Sequence, residues 1–243
     1  MTVLFGHQPF TNGTVGDTEE KMKEWGVTSF AALSIATKPG QQKTINDWAV
    51  SVQSDSVFCF GTVHPDAPDA VEEVSRIARL GLHGIKLHPD FQNFEITDPK
   101  LYPVYEAASS LGLPITFHVG LDPASVQVPN ATPSGIERIS RLFPKLTIIA
   151  AHTGGARMYD EVEQVLAGKN VYFDTSLSNV LCPPEQFIRI VRKHGSEHIL
   201  FGSDCPWQSP LEEFRWIERL GLSSSDRENL YWNNAARLMK IAE

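Results

Sequence analysis

Short runs of apolar residues recur along the chain at nearly even intervals. Seven runs rich in β-branched and aromatic residues begin 25 to 32 residues apart, at Thr28, Val57, Gly84, Pro114, Leu146, Val171 and Ile199. Nearly continuous apolar runs of this length predict parallel strands that are buried on both faces. The intervals leave room for one helix between each pair of strands.

The helices are predicted from their caps and from the spacing of their apolar residues. Residues 68–80 form one apolar stripe that ends before Gly81, and residues 98–111 begin at an Asp-Pro cap and end before Gly112. An earlier helix is predicted at about residues 14–25. Seven strand and helix units in about 220 residues fit a (β/α)₈ TIM barrel of about 250 residues better than an open sheet of five or six strands. We therefore predict an α/β fold, a TIM barrel formed as a single domain by residues 1–243.

Polar residues stand at or near the ends of several predicted strands. The active site of a TIM barrel lies where its strands run out into the following loops, so these residues are candidates for chemistry. They are His64, Lys86, His88, His118, His152 and Asp204. Imidazoles and a carboxylate that meet in this way suit a divalent transition metal such as zinc. A buried carboxylate without a partner would cost several kcal/mol or take up a proton, which a metal ion or an imidazolium would offset.

Four of these strand ends resemble the motifs of a known family. The segments GIKLHPD, PITFHVG, LTIIAAHTGG and ILFGSDCPW are similar, in order and spacing, to strand motifs of the amidohydrolase superfamily. They are most similar to the amidohydrolase-related branch that also contains aminocarboxymuconate-semialdehyde decarboxylase. The resemblance covers nearly the whole chain. It implies a metal-dependent hydrolase, or alternatively a non-oxidative decarboxylase, that acts on a small carboxylated substrate with one divalent metal ion, zinc or manganese.

The resemblance also implies roles for individual residues. His118 corresponds to a metal ligand, and His152 to the residue beside the metal-bound water that polarises or protonates the substrate. Asp204 corresponds to a metal ligand and to the group that accepts a proton from that water. Lys86 corresponds to an ordinary cation in a one-metal site. A carbamylated lysine that bridges two metals and a Schiff-base lysine are the alternatives for Lys86.

Five side chains are candidates for substrate binding: Lys86, His88, His64, Arg157 and Trp207. His64 and His88 precede prolines at strand ends, and each could instead fix its own loop through a hydrogen bond. Arg157 lies in HTGGAR, where a guanidinium could meet a substrate carboxylate or simply face solvent. Trp207 could cover the pocket or pack behind the neighbouring proline.

Two other polar residues receive structural interpretations. Asp174, inside VYFDTS, is predicted to bond a neighbouring loop. His194, near the end of a predicted helix, is predicted to lie at the surface.

The beginning of the chain departs from the family pattern. Family members carry an H-x-H pair on the first strand that supplies two metal ligands, and MTVLFGHQPFTNGT lacks this pair. Residues 2–7 are long enough only for a short strand, so the first strand is predicted to be short or missing. His7 could replace one of the lost ligands. With His118 and Asp204 alone the site has fewer than the three ligands of a stable zinc site, so we expect the metal to be weakly bound or absent.

This departure has two interpretations. The chain could represent an active enzyme that lacks an N-terminal stretch, or it could be a metal-free, catalytically silent barrel that serves in ligand binding or assembly. An incomplete barrel exposes strand edges that favour association. Family members are also often dimers, so a homodimer is a further possible assembly of this chain.

The composition of the chain argues against some classes of binding partner. The chain has 21 basic and 29 acidic residues, and its net charge of −8 opposes binding to the nucleic-acid backbone or to anionic lipid. Three scattered cysteines are too few for a disulfide framework, which favours a reducing, cytoplasmic location. The opening residues resemble neither a signal peptide nor a membrane span. A small molecule is therefore the predicted partner.

Overall fold

The computed structural model describes residues 8–122 and 128–240. Within them, seven strands alternate with helices as the hydrophobic pattern predicts. The strands β1 to β7 are Phe30–Leu33, Val57–Phe60, Ile85–Leu87, Ile115–Phe117, Ile148–Ala150, Tyr172–Asp174 and Ile199–Leu200. Each begins within two residues of its predicted start.

The helices lie between and after these strands. They are α1 Val15–Glu24, α2 Gln42–Val52, α3 Ala70–Arg79, α4 Tyr102–Leu111, α5 Pro133–Leu142, α6 Tyr159–Glu161, α7 Ser178–Leu181, α8 Pro184–His194, α9 Pro210–Glu218, α10 Ser224–Glu228 and α11 Asn234–Met239. Wide helical turns extend α6 through Val162–Leu166 and join α10 to α11 through Asn229–Asn233.

Capping residues account for several of these ends. The Thr14 side chain accepts a hydrogen bond from the Asp17 backbone at the start of α1. Asp98 caps a short 3₁₀ turn, Pro99–Leu101, that leads into α4. Gly112 ends α4 with a left-handed backbone, at a φ of 68°, which glycine adopts without a steric cost.

The strands are parallel and pair in chain order. β3 to β7 form one five-stranded sheet, and β1 pairs with β2. Backbone hydrogen bonds also join the end of β2 to β3. The Gly61 amide donates to the Gly84 carbonyl at 2.9 Å, and the Lys86 amide donates to the Gly61 carbonyl at 2.8 Å. Lys86 pairs with Thr116, which pairs with Ile149. Because paired residues point the same way, all three side chains face the barrel interior.

A gap in the barrel lies between the first and last strands. Within the described residues β1 pairs only with β2, and β7 only with β6. Phe30 and Leu200 of these two strands border an internal cavity of about 430 Å³. The Phe10 amide donates to the Pro206 carbonyl at 2.8 Å, so the chain enters beside the loop that follows β7. The short strand predicted for residues 2–7, with His7, lies outside the described residues.

The main hydrophobic core lies between the sheet and the surrounding helices. Ile85, Ile115 and Ile148 from three adjacent strands are fully buried in it. This packing holds the strands rigidly and fixes the position of the loops that follow them. Across residues 8–122 and 128–240, no helix is long and apolar enough to span a membrane.

Candidate active site

Polar side chains from neighbouring strands meet at the carboxyl end of the sheet. Lys86 lies on β3, His152 follows β5, Asp174 ends β6 and Asp204 follows β7. All four line the internal cavity. His118, which follows β4, reaches the same region through a direct contact with His152. The structure therefore brings together residues that stand far apart in the sequence.

The two central imidazoles are hydrogen-bonded to each other. The Nε2 atom of His152 lies 3.0 Å from the Nδ1 atom of His118, and their ring centroids are 4.8 Å apart. Both side chains are buried. Burial lowers the pKa of His118 well below its ordinary value, and the nearby His152, His88 and Lys86 lower it further.

Asp174 holds the unusual backbone that positions His152. His152 and Thr153 both have left-handed conformations, at φ values of 61° and 52°, which are uncommon for residues other than glycine. The Asp174 carboxylate accepts the His152 backbone N–H at 3.0 Å, and its backbone carbonyl accepts that of Thr153 at 2.7 Å. These two bonds secure a turn that would otherwise be strained.

Ser176 connects Asp174 to the His152 ring. The Nδ1 atom of His152 lies 2.9 Å from the Ser176 hydroxyl oxygen and 3.2 Å from the Ser176 carbonyl oxygen. The same hydroxyl donates to the Asp174 carboxylate. Asp174, Ser176, His152 and His118 thus form a continuous buried hydrogen-bonded chain.

A second cluster extends from His118 toward the loop after β4. One ligand atom from each of His88, His118 and Asp122 lies within 4.8 Å of the others. Asp122 Oδ2 is 3.2 Å from His88 Nε2 and 3.8 Å from His118 Nε2. Within the described residues, His118 Nε2 is buried without a hydrogen-bond partner. Imidazole and carboxylate groups are donors that a divalent transition metal accepts, so the chemistry of this set fits such an ion.

Within this cluster His88 is arranged to orient Asp122. Its ring is stacked between Phe91, at 4.0 Å and 5°, and His118, at 4.1 Å and 11°. Its Nδ1 accepts the Phe91 backbone N–H at 3.4 Å, which leaves Nε2 to donate to Asp122. Ring nitrogens bind metals through lone pairs in the ring plane, and the lone pairs of two parallel rings do not converge. His118 and Asp122 are therefore the residues of this cluster that could hold a cation, with His88 hydrogen-bonded to Asp122.

Lys86 places a buried cation in the cavity. Its side chain is 8% exposed. Burial lowers its pKa, and the charges of Asp174, Asp204 and Asp122 oppose that shift. Among the described residues Lys86 forms no direct ion pair, so its ammonium group is available to an anionic ligand in the cavity.

Asp204 lies across the same cavity, on a left-handed backbone with a φ of 63°. The residue is exposed and lines the cavity. Desolvation raises its pKa, whereas attraction to His152 and Lys86 lowers it. The net shift of the Asp204 pKa is upward.

The remaining predicted substrate-binding residues lie apart from the cavity lining of the described residues. His64 is buried, and its Nδ1 accepts the Asp66 backbone N–H at 3.1 Å, so it fixes its own loop. Arg157 is exposed. Trp207 is partly buried, and its backbone N–H donates to the Asp204 carbonyl at 2.8 Å. Their roles in substrate binding stay predictions.

Two residues of this region were missed by the sequence reasoning. Asp122 lies four residues after His118 in HVGLD, and Ser176 lies two residues after Asp174 in DTS. The available signal was a second polar residue soon after each strand end. Such spacing is common in loops, so it does not distinguish a site residue from a surface one.

Two structural interpretations can be checked directly. The prediction that Asp174 bonds a neighbouring loop is confirmed by its contact with His152. The prediction that His194 lies at the surface is wrong, because it is buried. Its Nδ1 accepts the Gly168 N–H at 3.0 Å and its Nε2 donates to the Val171 carbonyl at 3.0 Å. The end of α8 packs against the sheet, which position in the helix alone does not reveal.

A sequence profile of the amidohydrolase family matches residues 10–241. The chain belongs to the amidohydrolase family. This match confirms the membership predicted from the strand motifs. A 2-amino-3-carboxymuconate-6-semialdehyde decarboxylase from Caenorhabditis elegans is 31% identical over 121 residues, which cover 42% of this chain and 30% of the relative. The similarity supports the predicted branch, although the match spans less than a third of that relative.

Solved structures that are similar to this amidohydrolase support the TIM-barrel fold. A TIM-barrel protein from Bordetella bronchiseptica aligns with a TM-score of 0.79 at 19% identity, covering 98% of this chain and 88% of that one. A 5-carboxyvanillate decarboxylase from Novosphingobium aromaticivorans, with bound manganese, aligns with a TM-score of 0.75 at 18% identity, covering 92% and 80%. The predicted fold class is thereby confirmed.

Proposed function

We propose that this amidohydrolase is a divalent-metal-dependent enzyme that removes a carboxyl group from a small substrate without oxidation. The observation that carries the proposal is that Lys86 and Asp204 line the same cavity. A buried ammonium group without a direct ion pair offers a site for a carboxylate, and a carboxyl group with a raised pKa can hold a proton. The similarity to decarboxylases in sequence and fold supports the same reaction.

The metal would be held at the mouth of the barrel. His118 and Asp122 would hold it, and His88 would orient Asp122. A bound divalent ion supplies a Lewis acid that withdraws electron density from the substrate. Imidazole and carboxylate donors suit both zinc and manganese, and two protein ligands are consistent with the weak metal binding expected from the sequence. The predicted pair of His118 with Asp204 is the alternative ligand set, and substitution of each acid distinguishes the two.

The protein's own residues account for the remaining steps. Lys86 binds the substrate carboxylate, and His152, which lines the same cavity, borders the reacting group. When the carbon–carbon bond to the carboxyl group breaks, carbon dioxide leaves and the electron pair stays on the substrate carbon. Asp204 donates its proton to that carbon. Desolvation raises the pKa of Asp204 and so increases the fraction of the protein in which Asp204 carries a proton for this transfer.

Hydrolysis is the second candidate function. Lys86 and His152 attract negative charge onto Asp204, which favours its ionised form. An ionised Asp204 would accept a proton from an attacking water and so act as a general base. The same cavity could therefore hydrolyse a carboxylated lactone or amide.

The catalytically silent barrel is the least supported of the three interpretations. It predicts close packing around His118 and His152 without an accessible pocket. His152 instead borders a cavity of about 430 Å³ that also contains Lys86 and Asp204.

A product assay distinguishes these functions. Purified protein would be loaded with manganese or zinc and supplied with aromatic carboxylic acids, lactones and amides, while carbon dioxide and acid release are followed separately. We expect metal-dependent carbon dioxide release, lost in Asp204→Asn and reduced in Lys86→Met, but unchanged in Lys145→Met, which alters an exposed lysine. Acid release without carbon dioxide would establish hydrolysis. Neither product, together with no stoichiometric metal, would support the silent barrel.

A further inference from the structure

We propose that Asp174 and Ser176 are positioning residues that set the tautomers of His152 and His118, and so keep the Nε2 atom of His118 free of a proton. The inference rests on the proposed function only for the use of that nitrogen in metal binding. The tautomers themselves are determined by hydrogen bonds within the metal-free protein.

The first step is the direction of the Ser176 hydroxyl. A serine hydroxyl has one hydrogen to donate, and an ionised carboxylate can only accept. The Asp174 Oδ1 atom already receives the backbone N–H groups of His152 and Ser176, each at 3.0 Å. Three donors around one oxygen are suited to a carboxylate. The Ser176 hydroxyl hydrogen therefore points to Asp174.

The second step is the proton on His152. With its hydrogen directed to Asp174, the Ser176 hydroxyl presents only lone pairs to His152 Nδ1, 2.9 Å away. The Ser176 carbonyl oxygen, at 3.2 Å, also can only accept. Both neighbours require a hydrogen on Nδ1 of His152. In a neutral imidazole the other nitrogen, Nε2, is then unprotonated.

The third step is the proton on His118. The unprotonated Nε2 of His152 accepts from Nδ1 of His118 across 3.0 Å. A neutral His118 that donates from Nδ1 has a bare lone pair on Nε2. That atom is buried, has no hydrogen-bond partner among the described residues, and lies 3.8 Å from Asp122 Oδ2. A lone pair that faces a carboxylate is an electrostatic mismatch, which a cation between them would relieve.

The Asp174 carboxylate, which can only accept, thus fixes the direction of the hydrogen bonds through Ser176 and His152 to His118. A metal ligand histidine usually donates its second nitrogen to a partner that fixes its tautomer. Here that partner is His152, whose own tautomer is set from behind by Ser176 and Asp174. Removal of the Asp174 carboxylate would free the serine hydroxyl to donate to His152 Nδ1 across 2.9 Å, which is shorter than the 3.2 Å to the Ser176 carbonyl oxygen, so both imidazoles would then change tautomer.

Nitrogen NMR of the metal-free protein tests the proposal. Protonated and unprotonated ring nitrogens have well-separated ¹⁵N shifts, so protein labelled at histidine reports each tautomer directly. We expect His118 and His152 of the unsubstituted protein both to carry their hydrogen on Nδ1. A hydrogen on Nε2 of either residue would overturn the proposal, whether or not any variant folds.

Two substitutions of one residue separate the proton effect from a loss of structure. Asp174→Asn keeps an amide oxygen as acceptor and should retain both tautomers, whereas Asp174→Ala should shift both to Nε2–H. We also expect Asp174→Ala to weaken manganese binding about tenfold or more, as measured by calorimetry at fixed pH. Unchanged tautomers in a folded Asp174→Ala protein would contradict the proposal. Predicted tautomers without manganese binding would instead count against the proposed function alone.

Discussion

The Nδ1 atom of His118 lies 3.0 Å from the Nε2 atom of His152, although the two residues are 34 positions apart in the chain. They follow adjacent parallel strands, β4 and β5, so their loops leave the same edge of the sheet. This contact joins two parts of the site. The cavity with Lys86 and Asp204 lies on the His152 side, and the cluster with Asp122 lies on the His118 side.

Asp122→Asn should weaken manganese binding about tenfold or more, because it removes one of the two donors prepared to hold the ion. Calorimetric titration of the metal-free protein measures this affinity. Asp204→Asn is the matched variant, since it makes the same chemical change at the other acid. If Asp204→Asn abolishes binding and Asp122→Asn does not, the ligand set is the predicted pair of His118 with Asp204.

Lys86→Met should lower kcat/KM for a carboxylated substrate about ten- to a hundredfold, because a charge-assisted hydrogen bond to the carboxylate is lost. The same change should raise the free energy of unfolding, because it replaces a buried charge by an apolar side chain of similar length. Steady-state kinetics and urea unfolding measure the two effects. An unchanged kcat/KM would show that Lys86 does not bind the substrate.

Glu213→Gln should stabilise the protein increasingly as the pH rises. Glu213 is fully buried on α9, and its Oε1 lacks a hydrogen-bond partner among the described residues. Burial raises its pKa from 4.5 to about 9. The stability that protonated Glu213 contributes is therefore fully present below pH 4.5 and declines until about pH 9. The loss at pH 7 is about 3 kcal/mol.

Urea unfolding of the Glu213→Gln variant between pH 4 and 9 checks this expectation. The glutamine oxygen can still accept the Asn179 backbone N–H that Glu213 Oε2 accepts at 3.2 Å. The advantage over the unsubstituted protein should vanish near pH 4.5. An advantage that is independent of pH would show that ionisation is not its cause.

His194 should make the protein less stable in mild acid. Burial lowers its pKa from 6.5 to about 4. Because protonation is favoured only in the unfolded chain, stability declines as the pH falls from about 6.5 to 4, by about 3 kcal/mol in total. His194→Gln should flatten this part of the stability curve, whereas His198→Gln, in the neighbouring turn, should retain it. Equal curves for all three proteins would refute the assignment.

The hydrophobic pattern was sufficient to predict the strands and the helices that the structure confirms. Strands buried on both faces require continuous apolar runs, and helix caps require particular residues, so both constraints are local and appear directly in the sequence. The family motifs were likewise local, since each occupies one strand end. They identified His118, His152, Lys86 and Asp204 as candidates before any distance was known.

The sequence by itself determined the positions of the strands, the family and the candidate polar residues, because each is encoded in short segments of the chain. Only the tertiary structure decided which of those residues touch. It placed Asp122 against His88 and His118, put Ser176 between Asp174 and His152, and buried His194. These contacts depend on how loops bend after separate strands, and that geometry is set by packing across the whole barrel rather than by any one segment.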